Sequence, residues 1–188
     1  MFRKILALFM ALTILTCSAG LAATLDETQL KSKSCILMDA ATGEVLYGRA
    51  ADVRRSPAST TKIMTLLLTM EAIDAGQLHY DDVVTASAHA CSMGGSQIWL
   101  KEGERLTVDE MLKAVCVVSA NDCAVALAEH LAGSEESFVE RMNRRAAELG
   151  MNDTTFKNAC GLPAEGHVTS AYAVSYTHLR AHETLSDL

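Results

Sequence analysis

The chain has 188 residues, of which 49% are hydrophobic, so it is long enough to form one domain with a buried core. Its formal net charge of −7 and its pI near 5.3 argue against nucleic acid as a partner. Only 5% of the residues are aromatic, which indicates neither a base-stacking surface nor an aromatic carbohydrate groove.

The first 23 residues have the pattern of a secretory signal peptide. Residues 1–4 form a short basic segment through Arg3 and Lys4, residues 5–17 are apolar, and small residues then offer a cleavage site after Ala22 or Ala23. An uncleaved membrane anchor is the alternative, although the apolar run is short for a span. We therefore expect export across the cytoplasmic membrane, to the cell wall or periplasm.

Six cysteines are present, and signal-peptide cleavage would remove Cys17 and leave five. Their spacings show no zinc pattern, so we interpret them mostly as small buried apolar residues. Cys116 and Cys123 flank a motif described below, and the sequence leaves open whether they pair.

Two short apolar segments open the mature chain. Cys35–Asp39 and Glu44–Gly48 are predicted strands, and the turn residues 40–43 between them indicate a β-hairpin. A largely apolar helix follows, with Ser56 predicted as its N-cap and Gly76 near its end.

Three further helices are predicted in the second half of the chain. Thr107 and Glu110 form a capping-box pattern that starts the first, which runs to about Val118. The second helix stops at Gly133, and either Asn121 or Asp122 is expected to be its N-cap. The third helix runs from Ser134 to Leu149.

The residues with the clearest chemical potential are Ser59 and Lys62, three positions apart at the start of the apolar helix. Burial and the positive helix end both lower the pKa of such a lysine, and a neutral amine can accept the serine proton. Backbone N–H groups at the same helix end point to where an oxyanion would form. The alternative is an ordinary first-turn serine beside a snorkelling lysine.

A second motif, Ser119-Ala120-Asn121, interrupts the later helices and offers a hydroxyl and an amide to a cleft. Its plain alternative is helix capping. Capping by a neighbour does not exclude a second role for Ser119. Together the two motifs indicate acyl transfer.

Both motifs resemble those of the serine penicillin-binding protein and β-lactamase superfamily. The chain is most similar to the low-molecular-mass, peptidase S11-like D-alanyl-D-alanine carboxypeptidases. That resemblance runs from about Ser34 to Tyr172 and is carried by four segments, at residues 38–47, 57–65, 93–100 and 158–162.

The resemblance implies a role for each motif residue. Ser59 would attack the carbonyl between the two terminal D-alanines of a peptidoglycan stem peptide, and Lys62 would act as base. Ser119 would relay a proton to the leaving amine, and Asn121 would hold the substrate amide. β-Lactam antibiotics would acylate Ser59 in the same way, and neither a metal nor a cofactor is implied.

The fold implied by the resemblance is α+β and β-lactamase/transpeptidase-like. The N-terminal hairpin and the helical lobe are recognisable in this chain, whereas the C-terminal sheet strands are missing from it. The family's third motif, Lys-Thr-Gly, does not occur after Asn121. Residues 24–172 are therefore expected to form a partial catalytic domain, and peripheral membrane association would belong to the full-length protein.

The likeness ends near Ala173, and residues 173–188 resemble a translated sequencing adapter. We therefore expect that residues 173–188 are a non-native tail, that the gene model is truncated and that the natural protein continues. His178, His182 and Glu183 have a superficial metal-site spacing, but the origin of the tail argues against a metal.

Two other functions stay open from the sequence. A β-lactamase of the same fold needs a carboxylate that activates water. Glu140 is the nearest match, and it falls inside a predicted helix. A non-catalytic cell-wall-binding fragment is the other alternative.

Overall fold

The computed structural model describes residues 29–176. The signal-peptide prediction and the histidines of the tail lie outside the described residues. Contacts divide the chain into two units, Met1–Ser32 and Lys33–Leu188, and every element named below belongs to the second unit.

The described part of the second unit contains two small antiparallel sheets, five numbered α-helices and one further helical stretch. The strands are β1 (Cys35–Met38), β2 (Val45–Arg49), β3 (Val83–Thr85) and β4 (Arg105–Thr107). The α-helices are α1 (Thr61–Asp74), α2 (Ala88–Cys91), α3 (Val108–Val118), α4 (Asn121–Ala132) and α5 (Glu135–Glu148), and a 3-10 helix, Ala58–Thr60, precedes α1. A further helical stretch occupies residues 171–176.

The predicted β-hairpin is confirmed: β1 pairs antiparallel with β2, from Cys35 opposite Arg49 to Met38 opposite Val45. Asp39 organises the turn, since its Oδ1 accepts hydrogen bonds from the backbone N–H groups of Ala41 (3.0 Å) and Thr42 (2.8 Å). The sheet formed by β3 and β4 is separate and pairs Val83 with Thr107.

The start of the first helix differs from the prediction, because Ser56 does not cap it. Pro57 is the N-cap of the 3-10 helix, and no side chain caps that end. Ala58 has a left-handed φ of 47°, which no α-helical turn can contain. The chain therefore winds through a short 3-10 turn, in which Thr60 N–H donates to the Pro57 carbonyl (3.2 Å), before α1 begins.

The helical lobe follows the predicted boundaries closely. Thr107 and Glu110 form the complete capping box of α3. The Ser134 side chain accepts from Ser137 N–H and caps α5. The predicted capping of α4 by Asn121 or Asp122 is wrong, since its N-cap is Ala120 and no side chain caps it. Both polar side chains make lateral contacts instead, which are described below.

The core consists of two apolar clusters. One joins α3, the β3–β4 sheet and most of α4, whose first eight residues are all buried. The other lies between α1, α5 and the segment that follows α5, with Phe138 and Met142 fully buried. Small alanine side chains allow α4 to sit at the centre of the lobe.

All five cysteines from Cys35 onward are free in the structure. Cys116 is exposed and Cys123 is buried, so the pairing that the sequence left open is not present. Burial raises the pKa of the Cys123 thiol to about 12. Across residues 29–176, no helix is long and apolar enough to cross a membrane, and no metal-binding cluster occurs.

Candidate active site

The Ser59 side chain is presented at the protein surface by the 3-10 helix that leads into α1. The preceding residue, Ala58, packs against Gly161 so closely that a Cβ on this glycine would lie 2.0 Å from the Ala58 carbonyl oxygen. Gly161 also has a φ of +90°, so only glycine fits there. A close backbone contact between two distant segments thus fixes the turn that carries Ser59.

The amine of Lys62 lies one turn further along, and the residue is only 3% exposed. Its Nζ has three hydrogen-bonding partners: Asn121 Oδ1 at 2.6 Å, the Cys160 carbonyl oxygen at 2.7 Å and Ser59 Oγ at 3.4 Å. Two short contacts to acceptors and one longer contact to a hydroxyl thus surround the nitrogen.

Burial lowers the pKa of Lys62 below its usual value of 10.5, because a charged ammonium loses its hydration in the interior. The neighbouring Cys160 acts in the opposite direction and offsets part of this effect. The direction agrees with the sequence-based expectation. At a given pH, a larger fraction of this amine is therefore neutral than for an exposed lysine.

Asn121 connects the amine to a second wall of the site. Its Oδ1 accepts from Lys62, and its Nδ2 donates to the Gly94 carbonyl oxygen at 2.6 Å. Its backbone N–H donates to the Ser96 carbonyl oxygen at 2.7 Å. The two side-chain contacts fix the amide and explain why it does not cap α4, and the backbone contact adds a second bond to the same loop.

Asp122 stabilises the same wall of the site. It is fully buried, and its carboxylate accepts from the backbone N–H groups of Ile98 (3.2 Å) and Leu100 (3.1 Å). Trp99, between them, has a left-handed φ of 58° and is 74% exposed. The carboxylate thus anchors a strained loop, residues 93–100, beside Asn121.

Ser119 lies at the junction of α3 and α4, in a left-handed conformation with φ 59°. It is half-buried, and none of the hydrogen bonds among the described residues joins its hydroxyl to Ser59, Lys62 or Asn121. The structure therefore brings three of the four predicted residues into one cluster, with Ser119 two positions before Asn121 in the chain.

The Cys160 carbonyl is the contact that sequence reasoning missed. It is a backbone group 98 residues from Lys62, and no side-chain pattern marks it. The only available signal was the family-like segment 158–162, to which no role was assigned.

The carboxylate that would serve a β-lactamase is not in this cluster. Glu140 lies within α5, where it is exposed, and not on a loop beside Ser59. The geometry around Lys62 is therefore suited to forming an acyl-enzyme, with no acidic side chain bonded to Ser59 or Lys62 among the described residues.

Comparison with known proteins identifies the family. Residues 21–185 match the D-alanyl-D-alanine carboxypeptidase family. The D-alanyl-D-alanine carboxypeptidase DacF of Bacillus subtilis is 49% identical over 163 residues, which cover 86% of this chain and 42% of that protein. DacD of Escherichia coli is 39% identical over 150 residues, covering 77% of this chain and 39% of that protein. The chain thus spans less than half the length of these relatives.

Solved structures identify the same family. The carboxypeptidase DacD of Francisella tularensis matches with a TM-score of 0.78 and 37% identity, over 81% of this chain and 37% of that one. Penicillin-binding protein 5 of Haemophilus influenzae matches with a TM-score of 0.80 and 32% identity, over 84% of this chain and 47% of that one. The α+β, β-lactamase-like fold class is confirmed. The chain belongs to the D-alanyl-D-alanine carboxypeptidase family.

Proposed function

We propose that this chain carries the acylation machinery of a serine-type D-alanyl-D-alanine carboxypeptidase. The enzyme removes the terminal D-alanine from peptidoglycan stem peptides through an acyl-enzyme on Ser59. The observation that carries the proposal is the buried Lys62 amine, which contacts Ser59 Oγ, Asn121 Oδ1 and the Cys160 carbonyl oxygen. The substrate class is inferred from the relatives, which are named D-alanyl-D-alanine carboxypeptidases.

The number of acceptors around Lys62 supports its role as base. A neutral amine has two N–H bonds and one lone pair. The two short contacts, to Asn121 and Cys160, use both N–H bonds, and the lone pair is left for the Ser59 hydroxyl at 3.4 Å. This contact is expected to shorten when substrate binds, as is common for catalytic hydrogen bonds.

The reaction then follows two steps. Lys62 takes the hydroxyl proton as Ser59 Oγ bonds to the carbonyl carbon between the two D-alanines, and the C–N bond breaks. The leaving amine receives a proton, for which Ser119 is the proposed relay, while Asn121 holds the substrate amide. Water then cleaves the ester and releases the shortened peptide.

The remaining assignments rest on sequence. Residues 1–23 are proposed as the signal peptide, residues 24–172 as part of the catalytic domain and residues 173–188 as a non-native tail. Export through this signal peptide would bring the enzyme to its proposed cell-wall substrate. N-terminal sequencing of the mature protein checks the first assignment, and cleavage at neither Ala22 nor Ala23 would contradict it.

The direct test is D-alanine release from a synthetic peptide ending in D-Ala-D-Ala, measured with the full-length protein. The wild type should release D-alanine and Ser59→Ala should not, whereas the neighbouring Thr60→Ser should stay active. A long-lived penicillin adduct is expected as well. Rapid hydrolysis of penicillin without peptide cleavage would favour a β-lactamase, and equal behaviour of wild type and Ser59→Ala would contradict catalysis.

A further inference from the structure

The segment 158–161 supplies one of the two short contacts to Lys62, and side chains hold its backbone at almost every position. Asn158 Oδ1 accepts from the N–H groups of Cys160 (3.3 Å) and Gly161 (2.7 Å). The same residue donates through Nδ2 to the Leu162 carbonyl oxygen at 2.8 Å. These side-chain hydrogen bonds fix the backbone that carries the Cys160 carbonyl.

The most unusual of these side chains is Glu135, a carboxylate that is only 9% exposed. Its Oε1 accepts from the backbone N–H of Ala159 at 2.8 Å, and its Oε2 contacts His89 Nε2 at 2.6 Å. Glu135 is the first residue of α5, where the helix dipole favours negative charge. Both carboxylate oxygens are thus used, and one of them holds the residue before Cys160.

Thr65 holds the other side of the same residue. Its Oγ1 donates to the Ala159 carbonyl oxygen at 2.6 Å, and it lies three positions after Lys62 on α1. The backbone of Ala159 is therefore held between α5 and α1. The next carbonyl along the chain is that of Cys160, at 2.7 Å from Lys62 Nζ.

We propose that Glu135 is a positioning residue for catalysis, which fixes the Cys160 carbonyl against the Lys62 amine through Ala159. This inference rests on the proposed function, because it assigns the orientation of the base in that reaction. Without the carboxylate, the Ala159 N–H loses its partner and the segment loosens. The amine then loses a fixed acceptor and gains access to water.

The charged groups around this contact set its pH behaviour. His89 faces Glu135, and its hydrogen bond to that carboxylate raises the histidine pKa, with Glu129 and Glu136 adding to the effect. On the other side, Lys62 is faced by Cys160. Since burial is the main cause of the low Lys62 pKa, hydration should raise it toward 10.5.

The test compares the acylation rate by a fluorescent penicillin, as a function of pH, in the full-length wild type and three variants. Glu135→Ala removes the acceptor, Glu135→Gln keeps an oxygen for Ala159, and Glu140→Ala is a control at an exposed glutamate of the same helix, α5. We expect Glu135→Ala to be acylated about ten- to a hundredfold more slowly than the wild type. The rise of its acylation rate with pH should also occur at higher pH than in the wild type. The other two should stay within about threefold of the wild type.

Two further measurements keep the inference separate from the proposed function. NMR titration of the Lys62 amine and hydrogen exchange of residues 157–162 require no turnover. Thr65→Val, which removes the second contact to Ala159, covers the case in which Glu135→Ala does not fold. A wild type that forms no adduct contradicts the proposed function alone. The positioning role is contradicted if Glu135→Ala leaves the acylation rate, its pH dependence and the titration of the Lys62 amine unchanged. If Glu135→Ala does not fold, the same three measurements on Thr65→Val decide.

Discussion

At the scale of single residues, the environment of the Lys62 nitrogen determines what the site can do. The amine is buried, and its two shortest contacts are to oxygen acceptors. An ammonium would donate to all three neighbours, whereas a neutral amine leaves its lone pair toward Ser59. The chemistry therefore depends on how readily this amine loses its proton.

The first prediction concerns the pH dependence of acylation. Only neutral Lys62 can accept the Ser59 proton, so the rate should rise with pH through the lysine pKa, which burial places below 10.5. Lys62→Arg stays protonated and should lower the rate by about a hundred- to ten-thousandfold. Stopped-flow measurement of penicillin acylation across pH checks both. A pH-independent rate, or an active Lys62→Arg variant, would count against the base assignment.

The second prediction concerns the contact between Gly161 and Ala58. Gly161→Ala would place a Cβ 2.0 Å from the Ala58 carbonyl oxygen, so the turn bearing Ser59 must move. Gly103→Ala is the matched control, since Gly103 has a similar φ of +80° with no atom within 4 Å of the added Cβ. Gly161→Ala should cost about 1–3 kcal/mol more in urea unfolding than the control, and it should acylate more slowly. Equal costs for the two variants would show that the close contact is unimportant.

At the scale of elements, the head of α4 ties the loop at residues 93–100 to the site. Asn121 bonds to two carbonyls of this loop, and Asp122 accepts from two of its N–H groups. Neither residue caps its own helix. A helix end that is normally completed by its own side chains is used here to hold a neighbouring loop.

The third prediction tests that use. Asp122→Ala leaves the buried N–H group of Leu100 and the part-buried N–H group of Ile98 without their acceptor, and an unsatisfied buried donor costs about 1–3 kcal/mol. Urea unfolding should therefore show a loss of at least about 1–3 kcal/mol. Asp109→Ala, which removes a surface ion pair with Lys113 and one acidic side chain from the first turn of α3, should cost about 1 kcal/mol or less. Similar losses in both variants would refute the anchoring role.

The sequence predicts local structure well and remote contacts poorly. The hairpin, the Thr107 capping box and the limits of α5 follow from spacing within a few residues. The capping of α4 is mispredicted because the same Asn and Asp side chains that suit an N-cap also suit distant backbone groups. Ser59 and Lys62 are marked by their spacing, whereas the Cys160 carbonyl is a backbone group of a distant segment that no reactive side chain marks.

At the scale of the whole molecule, two histidines oppose each other in their effect on stability. His167 is 3% exposed, its Nδ1 accepts from Lys157 N–H at 3.0 Å, and its Nε2 therefore donates to Thr61 Oγ1 at 2.8 Å. Burial, and then the charge of Lys157, lowers the pKa of His167. His89 behaves in the opposite way, since Glu135 raises its pKa.

The fourth prediction follows from the sign of these shifts. A lowered pKa means that the unfolded chain binds the proton more readily, so the contribution of His167 is complete above about pH 6.5 and is lost as the pH falls. His167→Gln keeps one acceptor and one donor and should flatten the acid decline in Tm by about 2–4 °C. His130→Gln, at an exposed site on α4, should leave the decline unchanged. An identical decline in wild type and His167→Gln would contradict the argument.

The whole account depends on which atom becomes acylated, and mass spectrometry of the full-length protein after treatment with a labelled β-lactam measures this directly. We predict one adduct per chain, located on Ser59 Oγ, and none in Ser59→Ala or in Lys62→Arg over the same short exposure. An adduct on any other residue, or none on the folded wild type, would contradict the central claim that the buried Lys62 amine activates the Ser59 hydroxyl.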